Sequence, residues 1–220
     1  SYQQIDYVYD IAQLLQQKNM SPVTVIGHSL GGSISLLYTA LHPEQVKSLV
    51  CIEGMGPPPS LIKSRFERPT RERVHQWISD VRKSSGRTVR KYATLEDALQ
   101  RMQEENPHLS EDQARHLTIH GSNQNEDGTF SWKFDNYVRN FSPIGIPFDE
   151  MGGLCADIQC PTLLVRGLES WASDPVADGR TEQFTCPLQV EAFADAGHWV
   201  HHDQLDLFVA TVKSFLTASA

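Results

Sequence analysis

The chain has 220 residues, of which 40% are hydrophobic and 21% charged, a balance that excludes a disordered polar chain and gives enough apolar surface for a core. Its formal net charge is −8 with histidine counted as neutral, which argues against a broad basic surface for nucleic acid. No apolar run reaches the ~20 residues of a membrane-spanning helix, so we expect a soluble, cytoplasmic protein.

The first quarter of the chain alternates helical and strand patterns. The opening "SYQQIDYVYDIAQLLQQ" has the apolar spacing of a helix and not the pattern of a signal peptide. The β-branched run "SPVTVIG" predicts a short strand buried on both faces, and residues 30–41 predict a helix that ends before His42 and Pro43. The apolar "QVKSLVCIEG" predicts a second strand.

The middle of the chain, from Gly54 to Cys160, is richer in charge and reads as an insertion. Its periodicity predicts three helices, at residues 70–84, 95–105 and 110–120. The alternating "GTFSWKFDNYV" that follows predicts a strand or an extended segment.

The last sixty residues return to the pattern of the first. "PTLLVRG" and "LQVEAFA" predict two more strands, and "DQLDLFVATVKSFLTAS" predicts a terminal amphipathic helix. Strands that alternate with helices favour a parallel sheet covered by helices on both faces. We therefore predict an α/β core formed by residues 1–56 and 151–220, with a helical cap inserted at residues 57–150.

Four cysteines are too few for a disulfide framework in a chain of this length, and a single disulfide bond is the alternative that the sequence leaves. Cys51 lies within an apolar strand pattern, and a buried thiol is expected there.

The sequence "GHSLG", from Gly27 to Gly31, matches G-x-S-x-G where a buried strand meets a helix. This is the setting of a nucleophile elbow, in which a strained turn exposes the serine hydroxyl beside the helix N-terminus. We predict that Ser29 is a nucleophile and that the backbone N–H of Leu30 stabilises an oxyanion. A dinucleotide-binding turn is the alternative, but "GHSLGG" lacks the second glycine of that pattern.

A serine nucleophile needs a histidine base, and His198 is the best placed of nine histidines. It follows the last predicted strand, at the carboxyl edge of the sheet where Ser29 also emerges. The pairs His201 with His202 and His116 with His120 lack the Glu or Cys pattern of a metal site, so we expect exposed or locally hydrogen-bonded side chains.

The acid that orients the histidine has two candidate positions. Glu53 ends the apolar strand "SLVCIEG", where a carboxylate needs a partner to be placed near a core. The loop after "TLLVRG" offers Glu169 and Asp174, with Asp178 nearby. We favour Glu53 and keep the others as alternatives.

These segments resemble the α/β-hydrolase superfamily, and "GHSLGG", "LVCIEGMGPPP", "CPTLLVRG" and "AGHWVHHDQ" resemble its serine-hydrolase-like, esterase branch. The resemblance implies a helical cap between Gly54 and Cys160. It also implies an acid in the loop after "TLLVRG", where this chain has Ser170, or after the preceding strand, which supports Glu53.

The same resemblance implies four further strands before the first helix, and a His-Gly loop that supplies a second oxyanion donor. About eighty residues of that pattern precede the point where this chain begins. We therefore expect that the functional molecule is longer, or that a companion segment completes the sheet, because the "VTVIG" strand is otherwise an open edge.

We predict a serine hydrolase that cleaves a carboxylic ester or a related acyl compound with Ser29, His198 and Glu53, without a metal or an organic cofactor. The partner is a small-molecule acyl substrate. Alternatives are a ligand-binding homologue with little turnover, a carbon-carbon bond hydrolase and a cofactor-free haloperoxidase. Aromatic residues are expected mostly in the core of the cap: Phe66, Trp77, Trp132, Phe134, Tyr137, Phe141 and Trp171.

Overall fold

A computed structural model describes residues 2–86, 88–140, 142–146 and 148–219. Its helices are α1 (Gln4–Lys18), α2 (Leu30–Leu41), α3 (Pro59–Glu67), α4 (Thr70–Ser85), α5 (Leu95–Glu105), α6 (Glu111–Gly121), α7 (Phe148–Ala156), α8 (Val200–Asp203) and α9 (Leu205–Ala218). Its strands are β1 (Val23–His28), β2 (Val46–Ile52), β3 (Ser122–Gln124), β4 (Phe130–Trp132), β5 (Thr162–Gly167) and β6 (Leu188–Phe193).

A parallel sheet with the order β1-β2-β5-β6 forms the centre of the fold. The three neighbouring pairs are all parallel, so the carboxyl ends of the four strands lie at the same edge. An α/β fold with a parallel sheet is therefore confirmed. The turn after β1, the turn after β2 and the loops after β5 and β6 all start from this edge, which is where a site can form.

Strand β2 is buried almost throughout because helices cover both faces of the sheet. Leu49 and Cys51 contribute to a cluster of buried residues that includes side chains of α1 and α2. Val50 and Ile52 contribute to a second cluster, which includes side chains of α9. Alternate side chains of one strand thus enter two different apolar layers, which explains its continuous hydrophobic sequence.

The prediction that β1 is buried on both faces is wrong. Its residues alternate in exposure, and 52% of Ile26 is accessible. Within the described residues β1 is an edge strand that pairs with β2 alone, so it lacks the cover that β2 has. A run of β-branched residues shows that a strand is favoured but not which neighbours it has.

The described backbone forms two compact units. The larger one comprises residues 3–69 and 144–219 and contains the parallel sheet. The smaller one comprises Thr70–Pro143, grouped with Tyr2. These bounds for the smaller unit are narrower than the 57–150 of the sequence prediction, because α3 and α7 belong to the larger unit. Both of those helices were missed by the sequence reasoning.

The smaller unit contains α4, α5, α6 and the antiparallel pair β3 and β4. Capping boxes begin α5 and α6, with Thr94 and Ser110 as the N-cap residues. Only three residues of the predicted extended segment, Phe130–Trp132, form a strand. The Trp132 indole donates a hydrogen bond to the hydroxyl of Tyr92.

Among the predicted cap aromatics, Phe66 and Trp171 lie in the larger unit, and Phe141 lies outside the described residues. All four cysteines are free thiols. Burial raises the pKa of Cys51 to about 12, in agreement with the expected buried thiol. None of the helices that the structure describes is long and apolar enough to cross a membrane.

Candidate active site

Ser29 occupies a strained turn between β1 and α2. Its φ of 54° and ψ of −119° place it outside the regions that non-glycine residues favour. The turn is held by a 2.8 Å hydrogen bond from the Ser29 N–H to the carbonyl of Ile52. Since α2 begins at Leu30, the hydroxyl lies at a helix N-terminus, where backbone N–H groups have no partners within the helix.

Close contacts between backbones explain the glycines around this turn. A Cβ on Gly27 would lie 2.3 Å from the carbonyl oxygen of Gly31, and one on Gly32 would lie 2.8 Å from the Cα of Gly54. A Cβ on Gly31 would meet nothing within 4 Å among the described atoms. The first glycine of G-x-S-x-G is therefore needed for packing, and Gly32 lets α2 approach the turn after β2.

Glu53 is the first residue after β2, and its side chain is fully buried. Its φ is 54°, and its N–H donates to the carbonyl of Val165 on β5. The carboxylate accepts a 2.7 Å hydrogen bond from the Gly167 N–H at Oε1. At Oε2 it accepts hydrogen bonds from the Ser170 hydroxyl and from Nδ1 of His198, the latter at 3.1 Å.

His198 lies in the loop between β6 and α8, and both of its ring nitrogens are engaged. Nε2 lies 2.8 Å from Oγ of Ser29, and Nδ1 bonds to Glu53. A carboxylate can only accept, so Nδ1 carries the proton and Nε2 accepts from the serine hydroxyl. The structure thus brings Ser29, His198 and Glu53 together. His198 is 145 residues from Glu53 and 169 residues from Ser29 along the chain.

The alternative acids have other surroundings. Asp174 pairs with Arg166 at 3.2 Å, and 39% of its side chain is exposed. Asp178 pairs with Arg180 at 2.8 Å. Glu169 is exposed, and its backbone N–H bonds to the carbonyl of Ala196. Because Glu53 already occupies Nδ1 of the imidazole, the loop after β5 does not supply its partner.

His28, directly before Ser29, bonds to the backbone of His198. Its Nε2 lies 2.7 Å from the carbonyl oxygen of His198, which can only accept, so Nε2 carries the proton. The two imidazole rings lie 4.9 Å apart. Burial lowers the pKa of His28 from its ordinary value, which favours this neutral form.

His201 differs from the expected exposed side chain. It is partly buried, its ring lies 4.6 Å from that of His28, and its Nδ1 has no hydrogen-bond partner among the described residues. Burial, followed by the nearby imidazoles, lowers the pKa of His201 to about 4. Within the described part of the chain, no group of three or more His, Cys, Asp or Glu side chains is arranged to hold a metal ion.

Three contributors to the site were not singled out from the sequence: His28, the N–H of Gly167 and the hydroxyl of Ser170. A backbone N–H has no signature in a sequence. Ser170 had one signal, because it occupies the position where the resemblance to the α/β-hydrolase superfamily implies an acid.

The model of the family described as alpha/beta hydrolase fold matches residues 1–205 of the chain. The chain belongs to the α/β-hydrolase fold family. One curated relative is a serine hydrolase-like protein of Danio rerio, 24% identical over 219 residues, with 96% of this chain and 65% of the relative covered. Another is the sn-1-specific diacylglycerol lipase ABHD11 of Danio rerio, also 24% identical, with 94% and 61% covered.

This family member also resembles solved structures in its fold. The thioesterase domain from the curacin biosynthetic pathway superposes with a TM-score of 0.79 at 21% identity, covering 96% of this chain and 73% of that one. The chain spans less than two thirds of the length of the curated relatives described above.

Proposed function

We propose that this protein is a serine hydrolase that cleaves a carboxylic ester or a related acyl compound through an acyl-enzyme. One observation carries the proposal: the Ser29 hydroxyl, held at a helix N-terminus, donates to an imidazole whose other nitrogen donates to a buried carboxylate. Membership of the α/β-hydrolase fold family supports the same reaction class.

In the first half of the reaction, Oγ of Ser29 attacks the carbonyl carbon while Nε2 of His198 takes the hydroxyl proton. The carbonyl π electrons move to oxygen, and the N–H of Leu30 at the start of α2 stabilises the resulting oxyanion. Collapse of this intermediate breaks the bond to the leaving group, which takes the proton from His198. The acyl group stays on Ser29.

In the second half, His198 takes a proton from water as the water oxygen attacks the acyl carbon. The second oxyanion collapses, the bond from the acyl carbon to Oγ breaks, and His198 returns the proton to Ser29. Glu53 holds the imidazole in the tautomer that each step needs and stabilises its protonated form. The products are an acid and the group released earlier.

The surroundings of the two reacting side chains favour a substrate with an apolar part. Trp171 lies against the ring of His198, with centroids 5.1 Å apart, and 62% of its surface is exposed. Leu30, directly after Ser29, is 43% exposed. Accessible apolar side chains next to the nucleophile and the base suit an alkyl or aryl group.

Labelling with a fluorophosphonate probe tests the proposal, because the probe phosphonylates an activated serine and needs no knowledge of the substrate. We expect the wild-type protein to be labelled, and Ser29→Ala and His198→Ala to give no signal. Ser33→Ala is a matched control, since Ser33 lies one helical turn away and donates to the carbonyl of Gly54. A folded wild-type protein that stays unlabelled would contradict the proposal and favour a ligand-binding homologue.

A substrate panel then separates the reaction classes. Aryl and alkyl esters of increasing chain length are assayed beside a diketone whose cleavage requires breaking a carbon-carbon bond. We expect turnover of the esters with a preference for apolar acyl groups. Cleavage of the diketone alone would identify a carbon-carbon bond hydrolase in place of an esterase.

A further inference from the structure

Ser170, which stands where the resemblance to the α/β-hydrolase superfamily implies an acid, donates a hydrogen bond to Glu53. We infer that Ser170 is a positioning residue, whose hydroxyl holds the Glu53 carboxylate in the orientation that Nδ1 of His198 needs. The inference rests on the proposed function and extends it to a residue outside the predicted Ser29, His198 and Glu53.

The direction of the hydrogen bond from Ser170 is determined by its surroundings. The Oγ of Ser170 accepts a 3.2 Å hydrogen bond from the N–H of Ala172. A backbone N–H can only donate, so it occupies a lone pair of the hydroxyl oxygen and leaves the proton for another acceptor. That acceptor is Oε2 of Glu53. Ser170 is therefore a donor to the carboxylate, as a positioning residue must be.

The two oxygens of Glu53 have separate donors, and these fix the plane of the carboxylate. Oε1 accepts from the N–H of Gly167, and Oε2 accepts from both Ser170 and His198. The side chain has no exposed surface, so water cannot replace a lost donor. Without the Ser170 hydroxyl, one lone pair of Oε2 is unsatisfied and the carboxylate is free to turn away from His198.

The backbone around Ser170 is tied to the loop of the histidine, which gives the bond a fixed geometry. The N–H of Glu169 donates to the carbonyl of Ala196 at 3.0 Å, and a Cβ on Gly167 would lie 2.2 Å from the carbonyl oxygen of Gly197. The hydroxyl therefore approaches Glu53 from a loop that already packs against the segment before His198. A neutral donor at this place also avoids a second negative charge beside Glu53.

The test measures the rate constant of fluorophosphonate labelling of Ser29 and the kcat and KM for p-nitrophenyl butyrate. We expect Ser170→Ala to lower both the labelling rate and kcat by about 10- to 100-fold, the range for a hydrogen bond to a charged group. KM should stay within about twofold, because no substrate contact is assigned to Ser170. Ser170→Thr, which keeps a hydroxyl, should restore most of the rate.

A double-mutant comparison separates action through Glu53 from support of the loop. In Glu53→Gln, the N–H of Gly167 needs an acceptor, so the amide oxygen takes the place of Oε1. The amide NH₂ then takes the place of Oε2, and the Ser170 hydroxyl loses its acceptor. Adding Ser170→Ala to Glu53→Gln should therefore change the rate less than about twofold. A further 10-fold loss in that background would overturn the inference, because Ser170 would then act independently of Glu53.

Ser173→Ala is the matched control, since Ser173 lies in the same loop but its hydroxyl bonds to Asp178 and Arg180. An equal loss of rate in this control would attribute the effect to the order of the loop and overturn the inference. If circular dichroism shows that Ser170→Ala is not folded, Ser170→Cys replaces it, because the thiol is a much weaker donor than the hydroxyl and should still lower the labelling rate.

Different results would contradict the serine hydrolase function and the role of Ser170. An unlabelled wild-type protein contradicts the proposed function itself. A wild-type protein that is labelled, with Ser170→Ala labelled equally fast, leaves the serine hydrolase in place and removes only the role of Ser170.

Discussion

Two loops at the carboxyl edge of the sheet hold carboxylates, and Glu53 in one differs from Asp174 in the other in its burial and in its hydrogen-bond partners. The turn after β2 holds Glu53, which is buried and accepts hydrogen bonds from Gly167, Ser170 and His198. The loop after β5 holds Asp174, which is 39% exposed and pairs with Arg166. The first is bound within the interior, whereas the second forms an ion pair near the surface.

This difference shows that two carboxylates at one edge of the sheet can have quite different donors and burial, whatever their place in the chain. A buried carboxylate with fixed donors can hold an imidazole in one orientation. An ion pair between an exposed carboxylate and a cation is screened by water and stabilises the folded protein by no more than about 1 kcal/mol. The following predictions test this contrast between the two loops.

The largest effect is expected from neutralising the two acids separately. Glu53→Gln should lower kcat by about 10³- to 10⁴-fold, because the amide no longer holds the tautomer of His198 that accepts the Ser29 proton. Asp174→Asn should change kcat less than about threefold. Steady-state assays with a p-nitrophenyl ester measure both, and a collapse of kcat in Asp174→Asn alone would reverse the assignment.

The second prediction concerns Arg180, which joins the two loops. This side chain is 3% exposed and donates to the carbonyl of Met55, near Glu53, and to Asp178 and Ser173 in the loop after β5. Arg180→Met should lower the free energy of unfolding by about 3 to 5 kcal/mol, since it leaves buried acceptors without a donor.

Arg166→Met is the comparison for that variant, because the Asp174 partner of Arg166 is 39% exposed. We expect a loss of less than about 1 kcal/mol. Urea unfolding followed by circular dichroism measures both changes, and equal losses in the two variants would contradict the contrast.

Glycines in the two loops give the third prediction. A Cβ on Gly54 would lie 2.6 Å from the backbone carbon of Gly32, so Gly54→Ala should cost about 2 to 3 kcal/mol and also slow the labelling of Ser29. Gly179 has a φ of 79° and open space around it, so Gly179→Ala should cost about 1 kcal/mol without slowing the labelling. Thermal unfolding and probe kinetics distinguish these outcomes.

The smallest effect is expected in the pH dependence of stability. Burial raises the pKa of Asp178, but hydrogen bonds from Arg180 and Ser173 outweigh it and place the pKa below its ordinary value. A carboxylate whose pKa is lower in the folded state stabilises the protein above its unfolded pKa of about 4, and this contribution is lost as the pH falls.

Asp178→Asn should therefore lose more Tm relative to the wild type at pH 6 than at pH 3, and this pH-dependent part of the difference should be no more than about 4 °C. Differential scanning calorimetry at a series of pH values measures this. A difference that stays constant down to pH 3 would show that the charge of Asp178 is not involved.

Much of the fold was predictable because its signals are local. Helices α2 and α5 have the predicted bounds, and the apolar runs of β2 and β5 are strands. Ser29 and His198 were predicted from the residues next to them, and Glu53 from the cost of an acid at the end of an apolar strand. Helices α3 and α7 were not predicted. Helix α1 was predicted, but the burial of its apolar residues was not, since Ile5 and Leu14 fit the helical period and are more than half exposed.

The sequence by itself determined the strand-turn-helix around Ser29 and a parallel sheet covered by helices, because the spacing of neighbouring apolar residues distinguishes strands from helices and their alternation favours parallel strands. Only the tertiary structure decided which carboxylate meets His198 and which donors hold it. Those contacts join residues 114 to 145 positions apart, and no local pattern records them. They exist because parallel strands place their carboxyl ends at one edge, where loops from distant parts of the chain exchange hydrogen bonds.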